Sequence, residues 1–298
     1  MQVTDWLRTD HLPHIWCTGC GHGTVLGALI RAMEKAGVDR DRTVAVSGIG
    51  CSSRAVGYLD MDTLHTTHGR ALAFATGIKL ARPDLKVIVL AGDGDLAAIG
   101  GNHLIHAARR NLGITTICLN NGIYGMTSGQ LSPLTPGGYR TTTSPHGHLE
   151  RDFDLCRLVQ AAGATYVARS TSYHVQQTIL LLSRALAHDG FAFVEVFSQC
   201  PTYFGRRNRM GDPVAMLEWL RDSTVPAGQA ARMTPEELRG RWIIGELHRA
   251  TDVPEYSRSY RRLIDRLRGA DGGPDAPGAV EGTPLPEQHP DVEAARAD

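Results

Sequence analysis

Residues Lys86–Gln130 decide the fold: KVIVLAGDGDLAAIGGNHLIHAARRNLGITTICLNNGIYGMTSGQ. Two apolar runs within this stretch, Val87–Leu90 and Ile114–Leu119, have the composition of buried strands in a parallel sheet. The residues between them favour a helix. The stretch is therefore predicted to form a strand–loop–helix–strand unit, and open α/β sheets bind ligands at the edge where the strands end.

Polar residues follow both predicted strands. The sequence GDGD (92–95) comes after the first strand, and NN (120–121) comes after the second. Mg²⁺ prefers oxygen ligands shared with phosphate and water, and Asp93, Asn121 and the carbonyl of Ile123 could supply three of them. The glycines of GDGD would let a diphosphate approach the backbone, and the following helix N-terminus would favour its charge. GDG followed by NN one unit later resembles the diphosphate-binding motif of thiamine diphosphate enzymes.

The composition indicates a globular chain without a dominant charge. Among 298 residues there are 31 basic and 31 acidic side chains, and 42% of the residues are hydrophobic. This balance gives no global field that would attract nucleic acid or an anionic membrane, so neither is an expected partner. No apolar run reaches membrane-spanning length and the N-terminus has no signal-peptide segment, so we expect a cytoplasmic protein.

Strands and helices alternate over most of the chain, which predicts an α/β fold with a mostly parallel sheet and helices on both faces. Residues 1–212 form the predicted cofactor-binding domain, in which Pro133–His148 is expected to be a long loop. Residues 213–268 are predicted to be a helical C-terminal extension, with helices at Val214–Arg221, Pro235–Arg249 and Tyr256–Arg268. Residues 269–298, rich in glycine, proline and acid, are predicted to be a disordered tail.

Four of the six cysteines lie in predicted loops outside the core. These four are Cys17, Cys20, Cys51 and Cys200. Cys118 lies in a predicted strand and Cys156 in a predicted helix, where thiols are usually inert. Cysteines in a cytoplasmic chain indicate metal or redox chemistry before disulfides. Four loop thiols can hold zinc or a [4Fe–4S] cluster, and their spacing does not choose between the two.

Together, these motifs resemble the β subunit of 2-oxoacid:ferredoxin oxidoreductases. The matching segments are WCTGCGHG (16–23), SGIGCS (47–52), HGRA (68–71), GDGD (92–95), NNGIYGMTSGQ (120–130) and CPTYFGR (200–206). The resemblance covers about residues 14–210. Only Ser128 departs from the pattern, at a position where relatives carry lysine or glycine.

The resemblance implies the diphosphate-binding domain of the thiamine-diphosphate-binding fold. It implies a [4Fe–4S] cluster on Cys17, Cys20, Cys51 and Cys200, and Mg²⁺ on Asp93, Asn121 and the Ile123 carbonyl. The further cofactor contacts that it implies are Ile49, Gly50, Cys51, Ser52, His68, Gly94, Asp95, Gly125 and Met126. His68, Met126 and Ser128 are the residues that we assign to the reaction itself.

The implied activity is oxidative decarboxylation of a 2-oxoacid, with the acyl group passed to coenzyme A and the electrons passed through the cluster to ferredoxin. Thiamine activation requires a glutamate, which in this family belongs to a separate pyrimidine-binding domain. The chain has room for one cofactor-binding domain only. We therefore expect an α subunit to supply that glutamate within a heterodimer.

The motifs YGMTSGQ and CPTYFGR are more similar to those of the 2-oxoglutarate enzymes, so 2-oxoglutarate is the predicted substrate. Its distal carboxylate needs a cation, for which the candidates are Arg54, Arg140, Arg206 or a residue of the partner. Ser128 is expected to lie beside the substrate and to leave room for its longer chain. Pyruvate and branched-chain 2-oxoacids remain alternatives, as does a cluster-free thiamine decarboxylase or carboligase with structural zinc. A module that only binds the cofactor is disfavoured by the intact Asp93 and Asn121.

Overall fold

The structure is a computed structural model that describes residues 3–151 and 153–270. The chain divides into two compact units, Met1–Arg261 and Arg262–Asp298, and the second is described only as the end of the last helix. The tail predicted from residue 269 onward lies outside the described residues, except that the last helix continues to Ala270. No helix of the described residues combines the length and apolar character needed to cross a membrane.

Ten strands and eight α-helices make up the regular structure of the described residues. The strands are β1 (Thr43–Ser47), β2 (Asp62–His65), β3 (Lys86–Gly92), β4 (Ile114–Asn120), β5 (Ile123–Tyr124), β6 (Gln130–Leu131), β7 (Tyr166–Thr171), β8 (Ala192–Phe197), β9 (Thr224–Pro226) and β10 (Trp242–Arg249). The helices are α1 (His22–Lys35), α2 (Ala71–Ala81), α3 (Gly101–Arg109), α4 (Leu155–Ala161), α5 (Val175–Ala187), α6 (Pro213–Asp222), α7 (Ala227–Ala230) and α8 (Tyr256–Ala270).

Eight of the strands form one sheet in the order β2-β1-β3-β4-β8-β7-β10-β9. Its neighbouring strands run parallel except for β10, which pairs antiparallel with β7. Strands β4, β7 and β8 are buried along their whole length, as expected for strands covered on both faces. Helices α1 and α5 pack on one face, whereas α2, α3 and α4 pack on the other. The predicted α/β fold is confirmed.

The prediction of an entirely helical C-terminal extension is wrong. Helices α6 and α8 lie where helices were predicted, but Trp242–Arg249 is strand β10 instead of the end of a helix over Pro235–Arg249. This segment pairs with β7 on one side and with β9 on the other. The segment itself carries strand signals in Trp242, Ile243 and Ile244, and Gly245 disfavours a helix, so the helical prediction misread the pattern. The division of the chain at residues 212 and 213 stays a prediction.

The predicted site residues come from connections at the carboxyl ends of β1, β2, β3, β4 and β8 and from the loop before α1. The GDGD turn follows β3 and leads through a single π-helical stretch, Asp95–Ile99, into α3. The predicted long loop after β6 is confirmed, because Pro133–His148 contains no helix or strand. His148 closes this loop, since its backbone N–H donates to the Tyr139 carbonyl at 2.9 Å and its Nδ1 lies 2.7 Å from the Thr135 carbonyl.

Candidate active site and thiol group

A cavity of about 120 Å³ lies at the carboxyl edge of the sheet, between the ends of β3 and β4. The nine residues predicted to contact the cofactor and the three predicted to bind Mg²⁺ all line it. Four further residues complete its wall: Gly92, Leu119, Tyr124 and Thr127. Segments that are far apart in the sequence therefore meet where the strand ends converge.

Asp93 is a buried carboxylate without a protein counter-charge. Its side chain is only 3% exposed and accepts a hydrogen bond from the Ser132 hydroxyl. Burial raises the pKa of Asp93 to about 6, and the Ser132 hydrogen bond opposes that rise only in part. Among residues 3–151 and 153–270, no lysine, arginine or histidine forms an ion pair with it. A divalent cation at this position would supply the missing charge.

The two glycines beside Asp93 leave no space for a side chain. A Cβ atom at Gly92 would lie 2.7 Å from the Ser52 hydroxyl oxygen, and one at Gly94 would lie 2.4 Å from the Tyr124 ring. The Tyr124 hydroxyl donates to the Gly94 carbonyl at 3.1 Å and holds the ring in place. Glycine at both positions therefore lets Ser52 and Tyr124 pack directly against the turn, and all four residues line the cavity.

The two adjacent asparagines have different roles. Asn120 is buried and structural, because its amide donates to Glu195 at 2.8 Å while its oxygen accepts from the N–H of Gly122 at 2.9 Å. Asn121 lines the cavity, and its side-chain oxygen accepts from the N–H of Ile123 at 3.2 Å. That oxygen keeps a second lone pair with which a metal ion could be bound.

Asp95 joins three loops. Its Oδ1 accepts from His68 Nδ1 at 2.5 Å and from the N–H of Gly69 at 2.6 Å. A Cβ atom at Gly48 would lie 1.9 Å from the other carboxylate oxygen, so the 47–52 loop packs directly on Asp95. That second oxygen is buried and has no hydrogen-bond partner in the described part of the chain. Asp95 thus orients the His68 ring, which is half-buried at the cavity wall, and it holds the 47–52 loop against the turn.

The four predicted ligand cysteines share one neighbourhood. Burial raises the pKa of Cys20 to about 12 and that of Cys51 to about 11, and the charges of the other thiols of the group add to both shifts. Cys17 likewise raises the pKa of Cys200. Cys118 and Cys156 are fully buried elsewhere in the core, and burial raises the pKa of both well above its ordinary value.

The loop carrying Cys17 and Cys20 packs against the segment that follows β8. The side-chain amide of Gln199 donates to the Gly19 carbonyl at 3.0 Å, and the backbone carbonyl of Gln199 accepts from the N–H of Gly21 at 3.1 Å. Trp16 donates from its indole to the Cys51 carbonyl at 2.7 Å. These bonds connect the three segments that carry the four thiols.

The sequence predicted that Cys200 lies outside the core, but the structure buries it. It is 8% exposed and packs with Ile123, Phe204 and Met216. The reason is the π-helical turn Pro201–Gly205, which folds back over the thiol. The N–H groups of Phe204, Tyr203 and Thr202 oppose the rise that burial causes in the Cys200 pKa, because they stabilise the thiolate.

Gly125 lies where the thiol group and the cavity adjoin. A Cβ atom on it would be 3.5 Å from Cys51 Sγ, 3.9 Å from Cys200 Sγ and 3.6 Å from the Asn121 amide nitrogen. Cys51 belongs to both regions, because it also lines the cavity. The thiol group and the cavity therefore adjoin at Gly125.

Four residues considered for the substrate do not line the cavity. Ser128 is exposed just beyond Thr127 and has a φ of +87°, a left-handed conformation that favours glycine. Ser128 adjoins the cavity only through Thr127, and its expected place beside the substrate stays a prediction. The candidate cations Arg54, Arg140 and Arg206 are also absent from the lining, because all three are exposed on the outer side of their loops.

Sequence reasoning missed two contributors to the site. Ser132, which bonds to Asp93, lies in a Ser/Thr-rich loop where no pattern distinguishes it from its neighbours. Tyr124, which covers Gly94, did carry a signal, because it immediately precedes two residues that were assigned to the cofactor.

Comparison with known proteins identifies the family. The domain described as "Thiamine pyrophosphate enzyme, C-terminal TPP binding domain" matches residues 48–196, which confirms the predicted fold family. The 2-oxoglutarate synthase subunit KorB of Methanothermobacter marburgensis is 54% identical over 264 residues, which cover 89% of this chain and 90% of that protein. The subunit of the same name from Methanocaldococcus jannaschii is 51% identical, with coverage of 88% and 97%.

A solved structure is also similar along nearly the whole chain. It is the 2-oxoglutarate:ferredoxin oxidoreductase from Magnetococcus marinus with 2-oxoglutarate, coenzyme A and succinyl-CoA bound, and it superposes with a TM-score of 0.80 at 36% identity. The match covers 92% of this chain and 93% of that one. The chain belongs to the thiamine pyrophosphate enzymes and, among them, to the 2-oxoacid:ferredoxin oxidoreductase β subunits that include the 2-oxoglutarate synthase subunits KorB.

Proposed function

We propose that this chain binds thiamine diphosphate, Mg²⁺ and a [4Fe–4S] cluster. With an α subunit it would convert 2-oxoglutarate and coenzyme A to succinyl-CoA and CO₂, passing two electrons singly to two molecules of ferredoxin. The observation that carries the proposal is the junction at Gly125, where Cys51 and Cys200 adjoin the cofactor cavity. A reducing centre and a one-electron carrier need this proximity, whereas a decarboxylase or carboligase does not.

Asp93, Asn121 and the Ile123 carbonyl would hold the Mg²⁺. A buried carboxylate with a raised pKa and no protein cation fits a metal ligand, since the ion removes the cost of the charge. Gly92 and Gly94 line the same cavity, where a diphosphate could contact their backbone. When bound, thiamine diphosphate supplies the electron sink that lets CO₂ leave the 2-oxoacid.

Cys17, Cys20, Cys51 and Cys200 would hold the cluster. Burial and the charges of neighbouring thiols raise the pKa of Cys20, Cys51 and Cys200, so deprotonating the four thiols together needs a cationic centre. Among the described residues, no group of three or more His, Cys, Asp or Glu side chains is arranged to hold a metal ion. The position of Cys51 and Cys200 beside the cofactor cavity favours a redox cluster over structural zinc.

The isolated chain should oxidise no 2-oxoacid. No glutamate is among the residues that line the cavity, so the α subunit would supply the carboxylate that activates thiamine. We expect the chain alone to retain its iron, and turnover with coenzyme A and ferredoxin to appear only after the α subunit is added. Turnover by the chain alone at more than a few per cent of the assembled rate would contradict this assignment.

2-Oxoglutarate should exceed pyruvate by about tenfold or more in kcat/KM, which corresponds to about 1.4 kcal/mol of transition-state binding. The distal carboxylate of 2-oxoglutarate requires a positive partner when it is buried. Pyruvate has no such group, so this one contact distinguishes the two substrates. Because Arg54, Arg140 and Arg206 do not line the cavity, we assign this partner to the α subunit. Kinetics of the assembled enzyme on both acids test the prediction, and equal values would exclude it.

Ser128→Lys should narrow this preference. Position 128 follows Thr127 at the cavity mouth, so the lysine stem could reach the space used by the longer acid. Ser128→Gly is the matched control: it relieves the left-handed backbone without filling the mouth, so the ratio should stay at its wild-type value. If both variants keep the same ratio, residue 128 does not influence the choice of substrate.

A further inference from the structure

Two segments beside the thiol group contain arginine but no acidic residue. Residues 121–149 and 196–211 have no aspartate or glutamate. They contribute four exposed arginines, which we call the arginine patch: Arg140, Arg206, Arg207 and Arg209. Among the described residues, none of these four guanidinium groups is paired with a carboxylate. The charge is concentrated here although the chain as a whole is neutral.

The arginine patch is held together by Asn208. The side-chain oxygen of Asn208 accepts from the N–H of Arg140 at 2.8 Å, and its amide donates to the Arg140 carbonyl at 3.1 Å and to the Phe204 carbonyl at 2.9 Å. Asp212 follows the second segment and caps the N-terminus of α6. Its carboxylate accepts hydrogen bonds from two backbone N–H groups there, both at 2.9 Å. The patch is thus a positive surface in which no described carboxylate pairs with an arginine, and its two segments are flanked by the carboxylates Glu150 and Asp212.

Hydrogen bonds join the segments that carry the arginine patch to the backbone around the thiols. The N–H of Gly205, which precedes the patch, donates to the Cys200 carbonyl at 2.9 Å. Thr142, two residues after Arg140, donates from its N–H to Gly129 and from its hydroxyl to Ser128, both at 2.7 Å. These contacts continue into the loop whose Gly125 touches Cys51 and Cys200. Cys17, in the same thiol group, is exposed.

We propose that the arginine patch is the surface on which a small acidic electron-carrier protein docks to take one electron per encounter from the thiol-bound centre. This inference rests on the function proposed above. Complementary charge raises the association rate of such encounters and orients the acceptor, and its effect falls as salt increases. The position beside the thiols favours an electron carrier over an anion or a polyanion without redox function, because electron transfer requires close approach.

The test compares the assembled enzyme with its Arg207→Gln/Arg209→Gln variant. We would measure the equilibrium binding of an oxidised acidic [4Fe–4S] ferredoxin at 20 mM and 300 mM salt, and the rates with that ferredoxin and with methyl viologen. Loss of two charges should raise the Kd about tenfold at low salt and reduce its dependence on salt. Methyl viologen reduction should stay within about twofold of wild type, because a small cationic dye needs no basic surface.

Arg109→Gln/Arg110→Gln is the matched control. These two exposed arginines stand at the end of α3, at the opposite edge of the sheet, and their loss changes the net charge equally. An unchanged Kd in the Arg207/Arg209 variant, or an equal loss in the control, would overturn the docking surface. So would failure of the variant to assemble with the α subunit, since the patch would then be a subunit interface. If the wild-type assembly does not reduce methyl viologen with 2-oxoglutarate and coenzyme A, the proposed function itself has failed.

Discussion

Asp93→Asn is expected to abolish Mg²⁺-dependent binding of thiamine diphosphate and, at the same time, to stabilise the metal-free chain above pH 6. Both effects come from one buried charge. With the metal present, the carboxylate supplies the anionic ligand that an amide replaces poorly. Without the metal, the same ionised carboxylate is buried opposite no cation, and the amide removes that cost while still accepting the Ser132 hydrogen bond.

The sign of the stability change follows from the pKa of Asp93, which is raised from 3.8 to about 6 in the folded chain. At pH values below the ordinary pKa, the carboxyl group is protonated in both the folded and unfolded chains and costs nothing. Between about pH 4 and 6 the folded chain binds more protons, so stability falls as the pH rises. Above pH 6 the full penalty of about 3 kcal/mol is present in the wild type and absent in the variant.

Urea unfolding of the metal-free protein at pH 5 and pH 8, with calorimetric titration of thiamine diphosphate and Mg²⁺ into the assembled enzyme, measures both effects. Ser132→Ala is the matched control, because it removes the hydrogen bond but keeps the carboxylate. It should weaken binding without abolishing it, and it should not stabilise the chain. A variant Asp93→Asn that binds the cofactor normally, or that is less stable than wild type at pH 8, would show that Asp93 is structural.

Cys200→Ser should lose nearly all iron and acid-labile sulfide. Cys200 is a buried member of the thiol group, and three backbone N–H groups stabilise its thiolate. A serine hydroxyl at this position is a poor ligand for iron. Iron, sulfide and zinc analysis of anaerobically purified protein measures the loss. Stoichiometric zinc in place of iron in the wild type would instead support the cluster-free alternative.

Cys118→Ser serves as its control. Cys118 is fully buried within β4, away from the thiol group, so its replacement buries a hydroxyl in an apolar strand. We expect wild-type iron together with a loss of about 1–3 kcal/mol in the free energy of unfolding. The ligand assignment would be wrong if Cys200→Ser retained its iron, or if Cys118→Ser lost it while remaining folded.

Residues at strand ends could be predicted because topology places them. Asp93 and Asn121 follow adjacent parallel strands, so their meeting at the sheet edge follows from the pattern alone. Sequence reasoning missed strand β10 although Trp242, Ile243 and Ile244 favour a strand, because its pairing with β7 joins residues far apart in the sequence. The burial of Cys200 and the bond between Ser132 and Asp93 likewise depend on how loops fold back, which local sequence does not encode.

The carboxylate of Asp95 has a mechanical consequence. It joins the loop that contains Cys51 to the turn that contains Asp93 through Gly48 and the N–H of Ile49, and it also holds the loop at His68 and Gly69. The segments proposed to hold the electron donor and the first electron acceptor are therefore linked by one buried carboxylate. We expect their separation to change little during turnover. Any opening that admits the acid or coenzyme A is then expected in other parts of the assembly.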